Sequence, residues 1–232
     1  NYDDNENRKE FFVNFSKIFV GPGVRNNSLP LSTPIKRFGS SSVVTKSIAG
    51  KNFRCIKERV REDIHILIDQ EGGKVQRLCE PSWIRYPSYR DIGRLYMKSS
   101  KDAKRLSYLV GCLIANDLVD LGIDINCAPC LDVGQPNTTD ILTERIFSSD
   151  VNIVMKLAKE MIKGFQQGPV VPILKHIPGH GRSSLDSHLE LPTIDESIEK
   201  LIYHDFEPFI KSIVPFVFIF FLEDVKFFGI FK

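Results

Sequence analysis

From residue 51 onward the sequence alternates short apolar runs with helical patterns, and this alternation restricts the chain to a small set of folds. The apolar runs 64–68, 170–177 and 214–221 have the length of strands, and the first of them ends at Asp69. They are apolar almost throughout, which is typical of strands that are covered on both faces. Because helical patterns separate them, they predict a parallel sheet in an α/β fold.

Three helices are predicted between the strands, each with a serine or an aspartate before its first turn. Their ranges and caps are 101–121 after Ser99 or Ser100, 151–165 after Asp150, and 196–211 after Asp195. Gly122 is a stop signal for the first helix. A further strand, 123–133, follows that glycine and carries Asp132 at its tip.

Polar residues follow the apolar runs, namely Asp69, Asp132 and the pair Lys175–His176. The carboxyl ends of the strands hold the site in a (β/α)8 barrel, and a doubly wound sheet also binds its ligand there. A doubly wound sheet usually has a glycine-rich nucleotide turn, and residues 69–74 match neither glycine fingerprint. The pattern therefore favours an α/β fold of the (β/α)8 TIM-barrel type over residues 51–222.

The two ends of the chain depart from this pattern. Residues 1–50 contain a long stretch rich in Gly, Pro, Ser, Thr and Asn, which predicts a divergent or poorly ordered segment. Residues 206–232 hold nine of the seventeen phenylalanines, and 223–232 are interpreted as an aberrant tail. The barrel is therefore expected to be incomplete at its C-terminal end.

Composition limits the partners and the compartment. A net charge of +2 without a basic stripe excludes nucleic acid as the expected partner. The longest apolar run, 213–222, contains a proline and is about half a membrane span, so a buried strand and no membrane contact are expected. Five scattered cysteines and a polar N-terminus predict a reduced, cytoplasmic location.

Three of the five histidines lie in the segment KHIPGHGRSSLDSH, 175–188. A zinc site is one interpretation, although Pro178 excludes the helix that would place His176 and His180 on one face. A hydrogen-bonded polar loop is another. A phosphate cradle at 179–184 is a weak third, because no apolar helix follows directly.

An acid/base site explains more of this segment. Asp186 stands two residues before His188, where a carboxylate can orient the imidazole and stabilise its protonated form. Lys175–His176, with Asp69 and Arg77, would supply donors and acceptors for a polar ligand such as a sugar.

Cys127 and Cys130 have the spacing of a redox or metal motif. The pair ends a predicted strand instead of opening a helix, and no second pair of this spacing is present in the sequence. Small buried residues at a strand end are the favoured interpretation.

Four segments in order resemble family 3 glycoside hydrolases, in particular bacterial single-domain β-N-acetylhexosaminidases that recycle peptidoglycan fragments in the cytoplasm. They are LIDQEGGKVQRL, INCAPCLDV, ERIFSSD and KHIPGHGRSSLDSHLELP, and the resemblance covers roughly residues 60–210. It implies a TIM barrel that hydrolyses terminal β-linked N-acetylglucosamine from muropeptides or oligosaccharides with retention of configuration.

The resemblance also implies roles for individual residues. The catalytic acid/base falls on the pair His188 and Asp186. The residues implied to bind the sugar are Asp69, Arg77, Arg145, Lys175 and His176. No metal and no cofactor are implied.

The sequence departs from the family in three places. Lys74 stands where arginine is usual, and residues 1–50 lack the expected glycine-rich strands. The "SDDL"-like motif that carries the nucleophile in the family is absent from the 232 residues, and Glu223 or Asp224 is not expected to replace it. The prediction is therefore a truncated β-N-acetylhexosaminidase that is inactive alone. The alternatives are a non-catalytic N-acetylglucosamine-binding remnant and a metal-dependent hydrolase.

Overall fold

The computed structural model describes residues 65–177, 179–185, 193–212, 218–221 and 226–227. The predictions for residues 1–50, for Asp186 and His188, and for Glu223 and Asp224 lie outside these residues. No helix among the described residues is both long enough and apolar enough to cross a membrane.

Strands and helices alternate along the described part of the chain. The strands are β1 (Leu67–Ile68), β2 (Gln70–Gly72), β3 (Val75–Gln76), β4 (Ile125–Asn126), β5 (Val171–Ile177), β6 (Thr193–Ile194), β7 (Phe218–Phe221) and β8 (Lys226–Phe227). The helices are α1 (Tyr89–Lys98), α2 (Ser100–Leu121), α3 (Asp140–Thr143), α4 (Val151–Phe165), α5 (Ile198–Lys200) and α6 (Glu207–Ser212). A 3₁₀ turn covers His180–Arg182, and a π-helical turn covers Leu201–Asp205.

The central sheet is parallel and has the strand order β1-β4-β5-β7. β2 and β3 form a separate antiparallel hairpin, and β6 pairs with β8 in parallel. These pairings confirm the predicted parallel α/β fold. Within the described residues the sheet is open with four strands, so closure into a TIM barrel stays a prediction.

β4 is much shorter than the predicted strand 123–133. Pro129 has no N–H to donate to a sheet, so the pairing stops before it. It resumes as a single parallel bridge between Cys130 and Lys175. The residues beyond that bridge, including Asp132, are therefore free of the sheet ladder and can turn toward the end of β5.

The first two predicted helices are confirmed together with their caps. The Ser99 side chain accepts a hydrogen bond from the Asp102 N–H, and Gly122 ends α2 in the left-handed conformation with φ 74°. The Asp150 side chain accepts the Asn152 N–H at the start of α4. Both signals are local, because each cap satisfies N–H groups only two or three residues away.

The predicted third helix, 196–211, is wrong in two respects. Its N-cap is Ser197, whose hydroxyl accepts the Lys200 N–H, and the predicted cap Asp195 lies two residues earlier. The helix is also interrupted, because the π-helical turn separates α5 from α6. That turn carries Asp205, whose buried carboxylate is bound by Arg182 from the loop after β5.

The main helix contact, between α2 and α4, is formed around two glycines. A Cβ atom on Gly111 would lie 2.4 Å from the Met161 carbonyl oxygen, and one on Gly164 would lie 2.3 Å from the Tyr108 carbonyl oxygen. The backbones of the two helices therefore touch, which no larger residue permits. The core spreads from this crossing and includes Ile114, Leu118, Leu157, Met161 and Phe165.

We expect Gly164→Ala to lower the free energy of unfolding by about 1–3 kcal/mol, because the added methyl must push the two helix backbones apart. Gly168→Ala is the matched control, since its Cβ would meet only Val119 Cγ2 at 3.6 Å. We expect it to change stability by less than about 0.5 kcal/mol. Urea unfolding of both variants checks this, and equal losses would contradict the close helix contact.

Candidate functional site

Polar and charged side chains meet at the carboxyl edge of the parallel sheet. Asp69 follows β1, and Asp132 lies beyond β4. Lys175 and His176 lie near the C-terminal end of β5. The carboxyl ends of neighbouring parallel strands lie side by side, so residues distant in sequence become neighbours here. The Lys175–His176 peptide bond is cis, and both side chains take part in the site.

Glu71 is the central anion of this site. Its side chain is 1% exposed and lies on β2, the first strand of the hairpin that follows β1. Its two oxygens accept hydrogen bonds from Arg145 Nε at 2.9 Å and Nη2 at 2.8 Å, and Oε1 also lies 2.7 Å from Lys175 Nζ. Burial alone would disfavour the carboxylate, but these two cations outweigh it and hold the pKa of Glu71 below its usual value.

Asp69 forms the exposed side of the same network. Its carboxylate accepts a hydrogen bond from Lys175 Nζ at 2.6 Å and lies 3.9 Å from Arg77 Nη2. The Asp69 and Arg77 side chains are 41% and 63% exposed, whereas Lys175 is 5% exposed. Asp69 is therefore the carboxylate of this network that a ligand can reach, and Arg77 lies at its rim. Burial opposes its ionisation, but Lys175 and Arg77 keep its pKa lowered.

Lys175 is held charged between these two carboxylates. Burial alone would lower its pKa, but Glu71 and Asp69 raise the pKa of the ammonium above its ordinary value. The ammonium group is therefore a fixed hydrogen-bond donor at neutral pH. Two of its contacts are to the carboxylates of Asp69 and Glu71.

His176 links Asp132 to Arg145. Its Nδ1 lies 2.8 Å from Asp132 Oδ2, and its Nε2 lies 3.2 Å from Arg145 Nη2. Burial lowers the pKa of the imidazole, against the attraction of Asp132, so the ring is neutral at pH 7. The neutral tautomer with a proton on Nδ1 fits both contacts, because Nδ1 then donates to Asp132 and Nε2 accepts from Arg145.

Cys130 lies beneath this network, with its sulfur 3.6 Å from Arg145 Nη2. Burial raises the pKa of the Cys130 thiol well above its usual value, and it raises the pKa of Cys127 to about 11. Both cysteines are free and buried. They are neutral thiols at pH 7, which agrees with the interpretation as small buried residues and not with an active redox pair.

The loop after β5 is fixed on both sides. Gly179 has φ 57° and packs against Asp205, while Gly181 approaches the Val133 carbonyl so closely that a Cβ would lie 2.2 Å from it. Arg182 Nε donates to Asp205 Oδ2 at 2.7 Å. The His180 ring meets the His176 ring edge-on, with centroids 5.5 Å apart. The segment that leads toward Asp186 therefore starts from a defined position.

All five residues implied to bind the sugar belong to one connected cluster: Asp69, Arg77, Arg145, Lys175 and His176. The implied catalytic pair, Asp186 and His188, lies outside the described residues. Sequence reasoning missed Glu71, and the only signal was an acidic residue two positions after Asp69 in the DQEGG turn. It also missed the anchor between Arg182 and Asp205.

These features define a class, namely α/β proteins with a charged, hydrogen-bonded cluster of side chains at the carboxyl ends of parallel strands, where proteins of this class bind their ligands. The chain belongs to glycosyl hydrolase family 3, since the pattern of that family's N-terminal domain matches residues 35–217.

Relatives agree with this membership. The chain is 34% identical to a beta-hexosaminidase of Idiomarina loihiensis over 197 residues, which are 85% of this chain and 56% of that protein. It is 32% identical to a beta-hexosaminidase of Hydrogenovibrio crunogenus over 148 residues, which are 64% of this chain and 41% of that protein. The chain thus spans about half the length of these relatives.

The solved structure of NagZ from Neisseria gonorrhoeae in complex with N-trifluoroacetyl-D-glucosamine is similar, with a TM-score of 0.74 and 28% identity. The similarity covers 79% of this chain and 54% of that one. A family 3 beta-N-acetylglucosaminidase from Paenibacillus has a TM-score of 0.66 and 29% identity, over 76% of this chain and 34% of that one.

Proposed function

We propose that the chain carries the sugar-binding half of a retaining β-N-acetylhexosaminidase that acts on terminal β-linked N-acetylglucosamine of muropeptides or oligosaccharides. The observation that carries the proposal is the cluster of Asp69, Lys175, Arg145 and His176 around Glu71 at the strand ends. A sugar needs fixed donors and acceptors for its hydroxyl groups, and a network of buried ion pairs holds both in place. The N-acylglucosamine bound by the Neisseria relative supports this ligand class.

In this proposal Asp69 accepts hydrogen bonds from sugar hydroxyl groups, since it is the accessible carboxylate of the network. Arg77 at the rim and Lys175 beneath supply the donors. His188, oriented by Asp186, donates a proton to the leaving oxygen, which is the role that the sequence resemblance implies. The larger barrel and a cytoplasmic location belong to the same proposal.

A second candidate is a sugar-binding chain without catalysis. It is supported by the same cluster of Asp69, Lys175, Arg145 and His176 around Glu71, which offers donors and acceptors to a sugar without taking part in a covalent step. The two candidates share the sugar site and differ in turnover. A chromogenic β-N-acetylglucosaminide assay of the 232-residue chain tests the binding-only candidate, because turnover above the uncatalysed rate would remove it.

A metal-dependent hydrolase is a weaker candidate. Ligand atoms of Cys130, Asp132 and His176 all lie within 4.8 Å of one another, and these residue types suit zinc. Arg145 Nη2, however, already contacts Cys130 Sγ and His176 Nε2, so a metal ion would have to displace a cation that Glu71 holds. The positive charge of Arg145 beside Cys130 and His176 therefore disfavours a metal cation at the same place.

Titration with N-acetylglucosamine tests the sugar site. We expect Asp69→Asn to weaken binding about tenfold or more, because a hydrogen bond to a charged group contributes about 1.5–3 kcal/mol. Asp120→Asn is the matched control, since Asp120 is exposed at the end of α2, away from the strand ends. Binding that is equal in the wild type and both variants, or no binding by any of them, would contradict the proposed site.

A further inference from the structure

Two buried amides connect the chain segments that carry Asp69 and Arg77, the exposed residues of the proposed sugar site. They are the side chains of Gln70 on β2 and Asn126 on β4, and both residues are 0% exposed. An amide can donate and accept hydrogen bonds at the same time. Because a buried polar group costs free energy unless it is paired, the partners of these two amides show what they hold in place.

The Asn126 side chain takes over at the point where the sheet ladder ends. β1 and β4 pair in parallel as far as Ile68 and Asn126, and the Cys127 N–H donates to the Ile68 carbonyl at 2.8 Å. The Asn126 side chain then binds both backbone polar groups of Gln70. Its Oδ1 accepts the Gln70 N–H at 3.0 Å, and its Nδ2 donates to the Gln70 carbonyl at 2.9 Å. Asp69 therefore lies between a residue of the ladder and a residue that Asn126 holds.

The Gln70 side chain extends this connection to Arg77. Its Oε1 accepts the Arg77 N–H at 2.9 Å and the Leu78 N–H at 3.0 Å, and its Nε2 donates to the Leu78 carbonyl at 3.0 Å. The pairing of β2 with β3 ends at Gln76. The Arg77 N–H is therefore held by a side-chain amide, one residue beyond the hairpin pairing.

The attraction between Asp69 and Arg77 is too weak to set their separation. Their charged groups lie 3.9 Å apart, and the two side chains are 41% and 63% exposed. Ion pairs on the surface contribute little, because water screens them and both side chains lose freedom. The hydrogen bonds of Gln70 and Asn126 are buried, and leaving one of them unmade costs more than the bond itself contributes. The amides therefore determine where the two segments lie.

We infer that Gln70 and Asn126 are positioning residues, which hold the backbones of Asp69 and Arg77 at the separation that the sugar hydroxyl groups require. The inference rests on the proposed function, because it takes Asp69 and Arg77 as ligand-binding residues. The two amides act through that exposed pair and do not touch the sugar. Groups that are already in place lose less freedom when the ligand binds, so removing the amides weakens binding although every contacting group remains.

NMR titration of the 232-residue chain with N-acetylglucosamine tests the inference in Asn126→Ala and Gln70→Met. We expect each variant to bind the sugar about tenfold more weakly, which is the effect of one lost hydrogen bond to a charged group. Gln70→Met removes hydrogen bonds outside the central sheet, so it serves in every comparison if Asn126→Ala does not fold.

Ser107→Ala is the matched control for a loss of stability. Ser107 is also 0% exposed, and its hydroxyl donates to the Leu157 carbonyl at 2.7 Å between α2 and α4, away from the strand ends. We expect this variant to be less stable and to bind the sugar as the wild type does. Weakening of sugar binding by Ser107→Ala to the same extent as by the amide variants would overturn the inference.

A double variant separates positioning from a general loss of stability. In Asp69→Asn the contact that Asn126 positions is already weakened, so adding Asn126→Ala should lower the affinity by only about threefold or less. A full tenfold loss in that background would overturn the inference, since Asn126 would then act independently of Asp69.

Amide hydrogen exchange gives a readout without ligand. Gln70→Met should speed exchange at the Arg77 and Leu78 N–H groups more than along α2, because their acceptor is lost while the helix keeps its own bonds. Equal acceleration at both places would mean a global loss of stability and would overturn the inference.

The proposed function and the inference fail in different ways. Suppose that the wild type binds the sugar and Asp69→Asn weakens it, while both amide variants bind as the wild type does. The sugar site would then stand, and the positioning role would be refuted. If the wild type does not bind the sugar, the proposed function fails and the positioning role fails with it.

Discussion

Replacing Glu71 with alanine is expected to lower the free energy of unfolding by about 3–5 kcal/mol, the range found when one partner of a buried ion pair is removed. Glu71 is 1% exposed and neutralises both Arg145, which is 11% exposed, and Lys175. Without it, Lys175 keeps Asp69 as its one close carboxylate among the residues that the structure describes, and the Arg145 guanidinium loses both of its short hydrogen bonds. The cost arises from leaving buried cations uncompensated, which is larger than the net stability that the pair itself adds.

Glu160→Ala is the matched control, because Glu160 pairs with Lys163 at 2.8 Å, the same distance as Arg145 Nη2 to Glu71. That pair lies on the surface of α4, where ion pairs contribute less than about 1 kcal/mol. Urea unfolding measures the loss of free energy of unfolding in both variants. The two losses can be compared directly if the m-values are unchanged. If Glu71→Ala costs no more than Glu160→Ala, the central role of Glu71 is refuted.

A double variant tests the coupling directly. Glu71→Ala combined with Arg145→Met removes one buried cation together with its partner. The free energy of unfolding that the double variant loses should therefore be smaller than the sum of the losses of the two single variants. Additive losses would mean that the two residues stabilise the fold independently, in conflict with the bidentate contact.

The parts of the fold that the sequence predicted are those fixed by local contacts. The side chains of Ser99 and Asp150 accept hydrogen bonds from N–H groups within the next three residues. The capping residue and the start of its helix are therefore visible together in one short stretch of sequence. The same local chemistry was present at Ser88, which accepts the Asp91 N–H at the start of α1, yet that helix was not predicted. Its ten residues follow a proline-containing segment without a preceding apolar strand, so the alternation of strands and helices gave no reason to expect it there.

Long-range partners explain what the sequence could not predict in the site. Arg77 and Asp69 are eight positions apart and were both proposed, but Glu71 owes its importance to Arg145, which is 74 positions away. The interruption of the third helix has the same origin, since Asp205 is bound by Arg182 from another loop. A pattern within one segment contains no information about such a partner.

A histidine that is held by a carboxylate in the loop after β5 is the remaining requirement of the proposed chemistry. Where the chromogenic assay detects turnover, we expect His188→Ala to lower its kcat about 10²–10⁴-fold and to leave N-acetylglucosamine binding unchanged, because proton transfer to the leaving oxygen is lost while the cluster around Glu71 persists. The loss should be smaller for an aryl leaving group that departs without a proton than for a sugar leaving group. His65→Ala is the control, since His65 is 60% exposed and precedes β1.

The pairing of His188 with Asp186 has a second readout that does not depend on turnover. A nearby carboxylate stabilises the protonated imidazole, so Asp186→Asn should lower the pKa of His188, as followed by NMR titration of its ring protons. The sign is fixed by charge, because the amide of asparagine removes the anion that favours the imidazolium. A smaller share of the imidazole would then be protonated at a given pH, and any turnover should fall with little change in KM. An unchanged pKa in Asp186→Asn would show that the two residues do not act as a pair, and the acid/base assignment would fail even if His188→Ala were inactive.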